Sequence, residues 1–370
     1  MRSILVICTR RIGDVLLATP LIRSLRLAYP QAAIDVLLNR ASAVALEGNP
    51  DVCRRMVLSE PPQRGESWTV LRETLRRYEL GVCTLASDRP HLMAFLAASR
   101  RVGVVPPPGE PGAAWKRWLC QASTELDLQA SHTVVQYLRL ADCLGIARHP
   151  NVVPPRPAEE SAIESLLGKD WARGGYAVLH PAPMFRYKAW TLEGWQGLIR
   201  WLTQGGLRVI VTGGPAPAER EYVARVTADL GLPAGAVTSV AGHLPFAALT
   251  PLIERAALFV GPDTSVTHLA AATGCPTVAL FGPSSPVAWG PWPQGYDGDQ
   301  GSPWVLTAPL QHRGNVWIVQ GITHCVPCLL EGCERRIDSR ADCLDLLPLQ
   351  RVVPVVEQAL RRSPVKSRGP

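Results

Sequence analysis

The sequence predicts an α/β protein with parallel sheets, because a strand–helix–strand pattern occurs in each half of the chain. In the first half, an apolar run at 4–8, a helical pattern at about 15–28 and an apolar run at 34–38 follow one another. In the second half, an apolar run at 256–260, a small-residue helix and an apolar run at 277–281 repeat this order. A length of 370 residues suits two domains, each with its own core.

The other elements follow from shorter patterns. In the first half, short strands and helices are expected at 43–47, 68–78, 80–85, 91–98 and 134–144. In the second half, we expect helices near 159–167, 192–204, 219–230, 245–256 and 349–361, and strands at 176–180 and 208–212.

A segment with three prolines, 151–159, is predicted to link the two domains. The predicted boundaries are therefore 1–150 for the first domain, 151–348 for the second, and 349–370 for a terminal helix with a basic, frayed tail.

The composition favours an anionic partner. The formal net charge is +7 and the pI about 9.0, which suits nucleic acid, anionic lipid or a phosphorylated substrate, although many soluble proteins share such values. Aromatic residues make up only 6% and no basic cluster is interleaved with them, which argues against a nucleic-acid groove. No apolar run reaches the roughly 18–20 residues needed to span a bilayer. The first eight residues resemble a strand more than a signal peptide, so a cytosolic or membrane-peripheral protein is expected.

One surface segment could bring the chain to its partner. The proline-rich stretch 104–112 is expected to be a loop, and the apolar and basic segment 113–118 follows it. Such a segment could touch a membrane surface or an anionic substrate, or could simply be an amphipathic surface turn.

In the first half, Asp14 is the main candidate for chemistry. It lies at or just before a predicted helix start, where it is either an N-cap or a carboxylate held at the end of a strand. Arg10 and Arg11 beside it could hold an anionic substrate, or could be solvated.

In the second half, Lys188 stands between a strand end and a helix start, where it could meet a phosphate or be an ordinary loop lysine. The pair Gly213-Gly214 allows close approach of backbone to a ligand, and Glu219 or Glu221 could accept hydrogen bonds from a ribose.

The segment 263–268 predicts an anion site at a helix start. Asp263 is expected as the N-cap, with the hydroxyls of Thr264 and Ser265 in the first turn and free backbone N–H groups beside them. His268 shares a helix face with Thr264, which places it near this site.

Four of the ten cysteines lie close together in the sequence, at Cys325, Cys328, Cys333 and Cys343. Their spacing is typical of a structural tetrathiolate site for zinc or iron, although reduced thiols packing a compact loop would look the same. The other six cysteines are expected to be small buried side chains in a reducing compartment.

Four stretches together carry a family resemblance: 11–25 (RIGDVLLATPLIRSL), 180–190 (HPAPMFRYKAW), 211–221 (VTGGPAPAERE) and 261–286 (GPDTSVTHLAAATGCPTVALFGPSSP). With these motifs, the chain resembles glycosyltransferase family 9, the ADP-heptose:lipopolysaccharide heptosyltransferases. The resemblance implies the GT-B fold, in which two Rossmann-like domains with parallel sheets face a central cleft and the C-terminal helix crosses back to the first domain. It also implies that the acceptor binds to the first half and the nucleotide sugar to the second.

The resemblance assigns catalytic roles to two residues. Asp14 would be the base that takes the proton of an acceptor hydroxyl, and Lys188 would neutralise charge on the leaving diphosphate. Residues implied to contact the acceptor are Arg10, Arg11 and Gly13. Residues implied to bind the donor are Gly213, Gly214, Glu219, Asp263, Thr264, Ser265 and His268, with Glu219 preferred to Glu221 for the ribose and Asp263 facing sugar hydroxyls rather than phosphate.

The implied function is inverting transfer of heptose from ADP-heptose to a lipopolysaccharide inner-core sugar or lipid A precursor, with no cofactor for catalysis. It would occur on the cytosolic face of the inner membrane, with the membrane surface as a partner and without nucleic acid. Rival interpretations are another nucleotide sugar or a protein acceptor, a nucleotide-sugar epimerase, and a catalytically silent binding homologue. Ser265 stands where the best-known motif has glycine, and 41–144 and 290–320 match no motif, so the acceptor and the donor sugar stay open.

Overall fold

The computed structural model describes residues 1–298 and 301–362, so most of the predicted basic tail lies outside the described residues. The chain divides into two compact units, Met1–Pro155 with Gly295–Ser302, and Arg156–Gln294 with Pro303–Pro370. The first division falls inside the proline-rich segment 151–159. No helix in the described ranges is long and apolar enough to cross a membrane.

The first unit contains a six-stranded parallel sheet with the order β3-β2-β1-β4-β5-β6. Its strands are β1 (Ser3–Cys8), β2 (Ala33–Asn39), β3 (Arg54–Leu58), β4 (Tyr78–Cys83), β5 (Ala98–Val105) and β6 (Ala122–Glu125). Its helices are α1 (Ile12–Ala28), α2 (Glu66–Thr74), α3 (Asp88–Ala97), α4 (Ala113–Leu119) and α5 (Thr133–Leu144), with a 3-10 helix at Arg40–Leu46.

The strand order places the helices of this unit on two faces. From β1 the chain moves outward to β3, and α2 then returns it across the sheet to β4, from which β5 and β6 continue in the other direction. Because such crossovers are right-handed, α1 lies on one face and α2, α3 and α4 lie on the other. The contacts agree, since α1 packs on α5 while α3 packs on both α2 and α4.

The second unit contains a seven-stranded sheet with the order β12-β13-β11-β10-β7-β8-β9, parallel except for β12. Its strands are β7 (Tyr176–Leu179), β8 (Arg208–Val211), β9 (Val237–Ser239), β10 (Leu258–Pro262), β11 (Thr277–Phe281), β12 (Leu310–Arg313) and β13 (Val316–Gln320). Its helices are α6 (Ser161–Leu167), α7 (Leu192–Gln204), α8 (Pro217–Thr227), α9 (Leu249–Glu254), α10 (Ser265–Thr273), α11 (Pro286–Trp289), α12 (Asp342–Asp345) and α13 (Leu349–Arg361), with 3-10 turns at Arg186–Lys188 and Phe246–Ala248.

The central strands of this sheet are buried on both faces. Every residue of β7, β10 and β11 is buried, which is why each appears in the sequence as an unbroken apolar run. On one face, Trp190 and Trp195 pack edge to face with ring centroids 5.3 Å apart, and α13 packs on α7 and the sheet. This rigid core holds the loops that follow the strands.

Candidate active site

In the first unit, Asp14 lies near the carboxyl end of the central strand β1. Strand order reverses between β1 and β4, and ligands of open α/β sheets bind at such a reversal. The helix α1 begins at Ile12 with Arg11 at the N-cap position, so Asp14 is its third residue and the prediction of Asp14 as N-cap is wrong. Gly13 precedes it inside the same first turn.

The Asp14 carboxylate is buried, and one of its oxygens accepts no hydrogen bond from the described residues. Its side chain is almost fully buried, and among the described residues its Oδ1 has no hydrogen-bond partner. The Arg10 Nε lies 3.4 Å from that oxygen, close enough for an ion pair. Burial raises the pKa of Asp14 above its usual value, against the opposite influence of Arg10 and Arg11. Such a carboxylate is a stronger base than an exposed aspartate and has a free lone pair to offer.

In the second unit, the loops after β7 and β10 bring Lys188 and Asp263 together. These strands are parallel neighbours at the point where the strand order reverses. The Lys188 ammonium lies 2.5 Å from Asp263 Oδ2, a contact that joins residues 75 positions apart. The sequence predicted both residues for the donor side but not their pairing.

The helix α10 is capped by Thr264, which corrects the prediction that Asp263 is the N-cap. The Thr264 hydroxyl accepts a hydrogen bond from the backbone N–H of Thr267, and helical geometry begins at Ser265. Thr264 and Ser265 are both partly exposed, so the helix start remains open to a ligand. Asp263, one residue before the N-cap, instead forms the ion pair with Lys188.

The ionic state of this cluster follows from its surroundings. Burial alone would raise the pKa of Asp263, but Lys188, His268 and a hydrogen bond from Ser284 together hold it below its usual value. Burial lowers the pKa of His268 to about 4, so the imidazole is neutral at physiological pH. Its Nε2 lies 3.9 Å from Asp263 Oδ1, and its buried Nδ1 has no partner among the described residues.

Three polar residues near these strand ends escaped sequence reasoning. Ser284 follows β11 and hydrogen-bonds to Asp263. His180, directly after β7, contacts the Thr212 hydroxyl through its Nδ1 at 2.9 Å, and burial lowers its pKa to about 4. Their positions in the sequence could have indicated them, because each residue follows a parallel strand of the same sheet.

The glycine pair after β8 has a packing role. A Cβ on Gly213 would stand 2.9 Å from the Val223 side chain. The backbone N–H of Gly214 donates to Glu219 Oε2 at 2.8 Å, so Glu219 braces the loop. Glu221 on the same helix, α8, is exposed.

The four late cysteines do not form a ligand set. Among the described residues, no group of three or more His, Cys, Asp or Glu side chains is arranged to hold a metal ion. Cys325 contacts the Thr323 hydroxyl, and Cys333 accepts a hydrogen bond from the backbone N–H of Asp342. Burial raises the pKa of Cys343 to about 12, with the neighbouring thiols adding to it. As placed, these residues do not fit a tetrathiolate site.

Comparison with known proteins finds similarity to one family. The model of glycosyltransferase family 9 (heptosyltransferase) matches residues 117–298. Lipopolysaccharide heptosyltransferase 3 of Escherichia coli K12 is 27% identical over 289 residues, which is 76% of this chain and 82% of the relative.

Two solved structures resemble the chain over nearly their whole lengths. A family 9 glycosyl transferase from Veillonella parvula has a TM-score of 0.75 at 18% identity, covering 98% of each chain. The E. coli ADP-heptose lps heptosyltransferase II has a TM-score of 0.71 at 22% identity, covering 98% of this chain and 99% of that one.

These observations define the fold first. Two α/β units, each with polar side chains collected where its strand order reverses, give the chain the GT-B fold of the solved relatives. Within that fold, the similarity to the family 9 model over residues 117–298 and to lipopolysaccharide heptosyltransferase 3 supports a glycosyltransferase enzyme.

Proposed function

We propose that the chain transfers heptose from ADP-heptose to an inner-core sugar of lipopolysaccharide, with inversion at the anomeric carbon. The observation that carries the proposal is Asp14 at the carboxyl end of β1, a buried carboxylate with an oxygen that accepts no hydrogen bond from the described residues. The relatives support the sugar and the acceptor, because those named are lipopolysaccharide heptosyltransferases and one is named for ADP-heptose.

In the proposed reaction, Asp14 Oδ1 takes the proton of an acceptor hydroxyl while that oxygen attacks the anomeric carbon of the heptose. The bond from this carbon to the ADP oxygen breaks, and the electron pair leaves with the diphosphate. Attack from the opposite side inverts the configuration. The raised pKa of Asp14 makes it a better proton acceptor than an ordinary aspartate.

The Lys188 ammonium and the N–H groups at the start of α10 would receive the negative charge that builds on the diphosphate. Asp263 holds the ammonium in place through the 2.5 Å contact, so it acts as a positioning residue. Thr264 and Ser265, partly exposed at the helix start, would contact the donor, and His268 would remain neutral beside them. Glu219, which braces the Gly213-Gly214 loop, would also contact the ribose.

The acceptor is proposed to be an anionic, lipid-borne core precursor. Arg10 and Arg11 precede α1 next to the base, and the whole chain carries a net charge of +7. With Gly13 beside them, they would position a core sugar that carries carboxylates or phosphates. Such an acceptor would bring the chain to the cytosolic surface of the inner membrane.

The decisive experiment is a donor screen by mass spectrometry with delipidated core oligosaccharide and a panel of ADP-, GDP- and UDP-sugars. We expect a mass increase of one heptose with ADP-heptose, and none when Asp14→Asn replaces the parent. Transfer from a different nucleotide sugar would overturn the donor assignment; the serine at position 265 makes this the relevant rival. Undiminished transfer by Asp14→Asn would overturn the proposed role of Asp14 as the base.

A structural zinc or iron ion at Cys325, Cys328, Cys333 and Cys343 is a separate proposal that rests on their sequence spacing alone. The described thiols would have to rearrange to bind it, and no catalytic step passes through it. Elemental analysis of the purified chain tests it: one metal atom per chain supports the proposal, and its absence overturns it.

A further inference from the structure

The face of the first sheet that carries α2, α3 and α4 exposes an unusual amount of apolar side chain. Trp118 on α4 is 79% exposed and Trp68 on α2 is 70% exposed. Four further large apolar side chains on these helices and their ends are between 39% and 50% exposed. We call the six together the apolar face: Trp68, Leu75, Leu92, Phe95, Leu96 and Trp118. A soluble surface rarely gathers so many without a partner.

The same part of the chain is basic. Residues 64–117 contain nine Lys or Arg and five Asp or Glu, a surplus of four within a chain whose net charge is +7. Two arginines are tied to the apolar face itself. The Arg101 guanidinium lies 5.2 Å from the centre of the Phe95 ring, and Arg89 donates to the Ser67 hydroxyl at 3.2 Å, which links α3 to α2.

We propose that the apolar face docks the chain on an anionic bilayer surface. Exposed tryptophans prefer the depth of lipid headgroups, and arginines beside them attract anionic lipid. Docking of this kind is contact with one side of the bilayer. The inference rests on the proposed function in one respect, namely that the acceptor is carried by a lipid.

Docking by this face suits the position of the proposed base. In a parallel sheet, the helix after each strand begins at the carboxyl edge, so α2, α3 and α4 begin at the same edge as α1, which carries Asp14. Trp68, in the first turn of α2, is the member of the apolar face at that edge, so a headgroup-borne sugar next to Trp68 would lie near it.

A second copy of this chain is a less suitable occupant. Interfaces between identical subunits are depleted of charge at their centres. Two copies joined through this face would instead bring two cationic surfaces together. Anionic lipid instead neutralises the surplus charge.

Flotation of the full chain with vesicles tests the proposal. We expect binding to vesicles with about one-third anionic phosphatidylglycerol and little binding to pure phosphatidylcholine, since the arginines are attracted by the anionic lipid. The double variant Trp68→Ser/Trp118→Ser should bind at least about tenfold more weakly, because two large apolar side chains no longer enter the bilayer. The matched control is Leu27→Ser, which removes a side chain 51% exposed on α1, on the opposite face of the same sheet.

A charge variant keeps the test independent of the tryptophans. Arg72→Glu/Arg89→Glu, on α2 and α3, should also weaken binding to anionic vesicles at least about tenfold and leave circular dichroism unchanged. The proposal is overturned if the parent protein does not bind anionic vesicles. It is also overturned if Leu27→Ser loses as much vesicle binding as the tryptophan variant. A parent that sediments as a dimer and becomes a monomer in Trp68→Ser/Trp118→Ser overturns it too, because the face would then be covered by a second copy.

Activity separates this inference from the proposed function. Trp68→Ser/Trp118→Ser should keep parental turnover on delipidated oligosaccharide and lose it selectively on acceptor embedded in vesicles. Failure of heptose transfer with intact vesicle binding would overturn the proposed function alone. Transfer without vesicle binding would overturn the docking face alone.

Discussion

Asp14 is held in a position that favours chemistry at a cost in stability. Burial raises the pKa of its carboxyl although two arginines precede it, and among the described residues one oxygen lacks a hydrogen bond. In the folded chain the ionised form is therefore less stable than in water. A residue retained for packing alone would not need a charge there.

Asp14→Asn should separate these two effects. Transfer should fall about 10²–10⁴-fold because the amide cannot accept the proton. Because the pKa of Asp14 is raised in the folded state, folding binds the proton more tightly, and the parent loses stability as pH rises through that raised pKa. At pH 7 the variant should therefore melt at the same temperature or higher. A variant that retains transfer and melts lower would contradict both arguments.

The pH profile of the parent should follow the same group. The base must be ionised, so kcat/KM should fall on the acid side with an apparent pKa above the usual aspartate value. His268 stays neutral down to about pH 4 and should add no limb near neutrality. Steady-state kinetics between pH 4 and 8 checks this; an acid limb at the ordinary aspartate pKa would contradict it.

The pair of Lys188 and Asp263 gives a second prediction at this scale. Lys188→Ala leaves a buried carboxylate unpaired, which should cost about 3–5 kcal/mol in the free energy of unfolding. It should also lower kcat about 10²–10³-fold through loss of charge stabilisation. Denaturant unfolding and initial rates measure the two effects.

A matched control and a double variant define the outcome. Lys169→Ala removes an exposed lysine of the same unit and should change stability by less than about 0.5 kcal/mol. Adding Asp263→Asn to Lys188→Ala should restore much of the stability, since no buried charge remains, while activity stays low. A double variant as unstable as Lys188→Ala would show that the pair is not the cause.

Sequence reasoning predicted the separate members of the site better than their contacts. Asp14, Lys188 and Asp263 each follow a recognisable strand, so pattern and the family resemblance together made them candidates. The Lys188–Asp263 pairing spans 75 residues and depends on β7 and β10 being neighbours, which no local pattern shows. Ser284 escaped notice for the same reason.

Among the elements, several buried strands were predicted, whereas the equally buried β13 and the marginal strands were not. Apolar runs predicted β7, β10 and β11 because both faces of these strands are covered. The strand β5 was missed because its first residue is followed by the polar run Ser99-Arg100-Arg101, and β9 has only three residues. The segment 113–118 was treated as a loop patch, whereas it forms most of α4.

The start of α10 supplies an element-scale prediction. Thr264→Ala removes the hydroxyl that accepts from Thr267 N–H, and should cost about 1 kcal/mol of stability and weaken donor binding. Thr264→Ser keeps the acceptor and should behave as the parent. Calorimetry with ADP and thermal melts measure both; a Thr264→Ser variant as impaired as Thr264→Ala would assign the effect to the methyl group instead.

For the whole molecule, the positive net charge predicts a dependence on salt. KM for a phosphorylated core oligosaccharide should rise several-fold between low and physiological ionic strength, while kcat changes little, because screening weakens encounter rather than the chemical step. Rates in a series of sodium chloride concentrations test this. Chemically dephosphorylated oligosaccharide is the control and should show a smaller rise, and equal responses would contradict the electrostatic argument.

The contact between Lys188 and Asp263 also bears on turnover. An ammonium that already has a carboxylate partner gains less from a phosphate than a bare one would, so the ligand-free chain and the ADP-bound chain differ less in energy. In the proposed reaction, Lys188 would turn back to the Asp263 carboxylate as ADP leaves. The pair would therefore lower the affinity for ADP, and product release should become slower once Asp263 is neutralised.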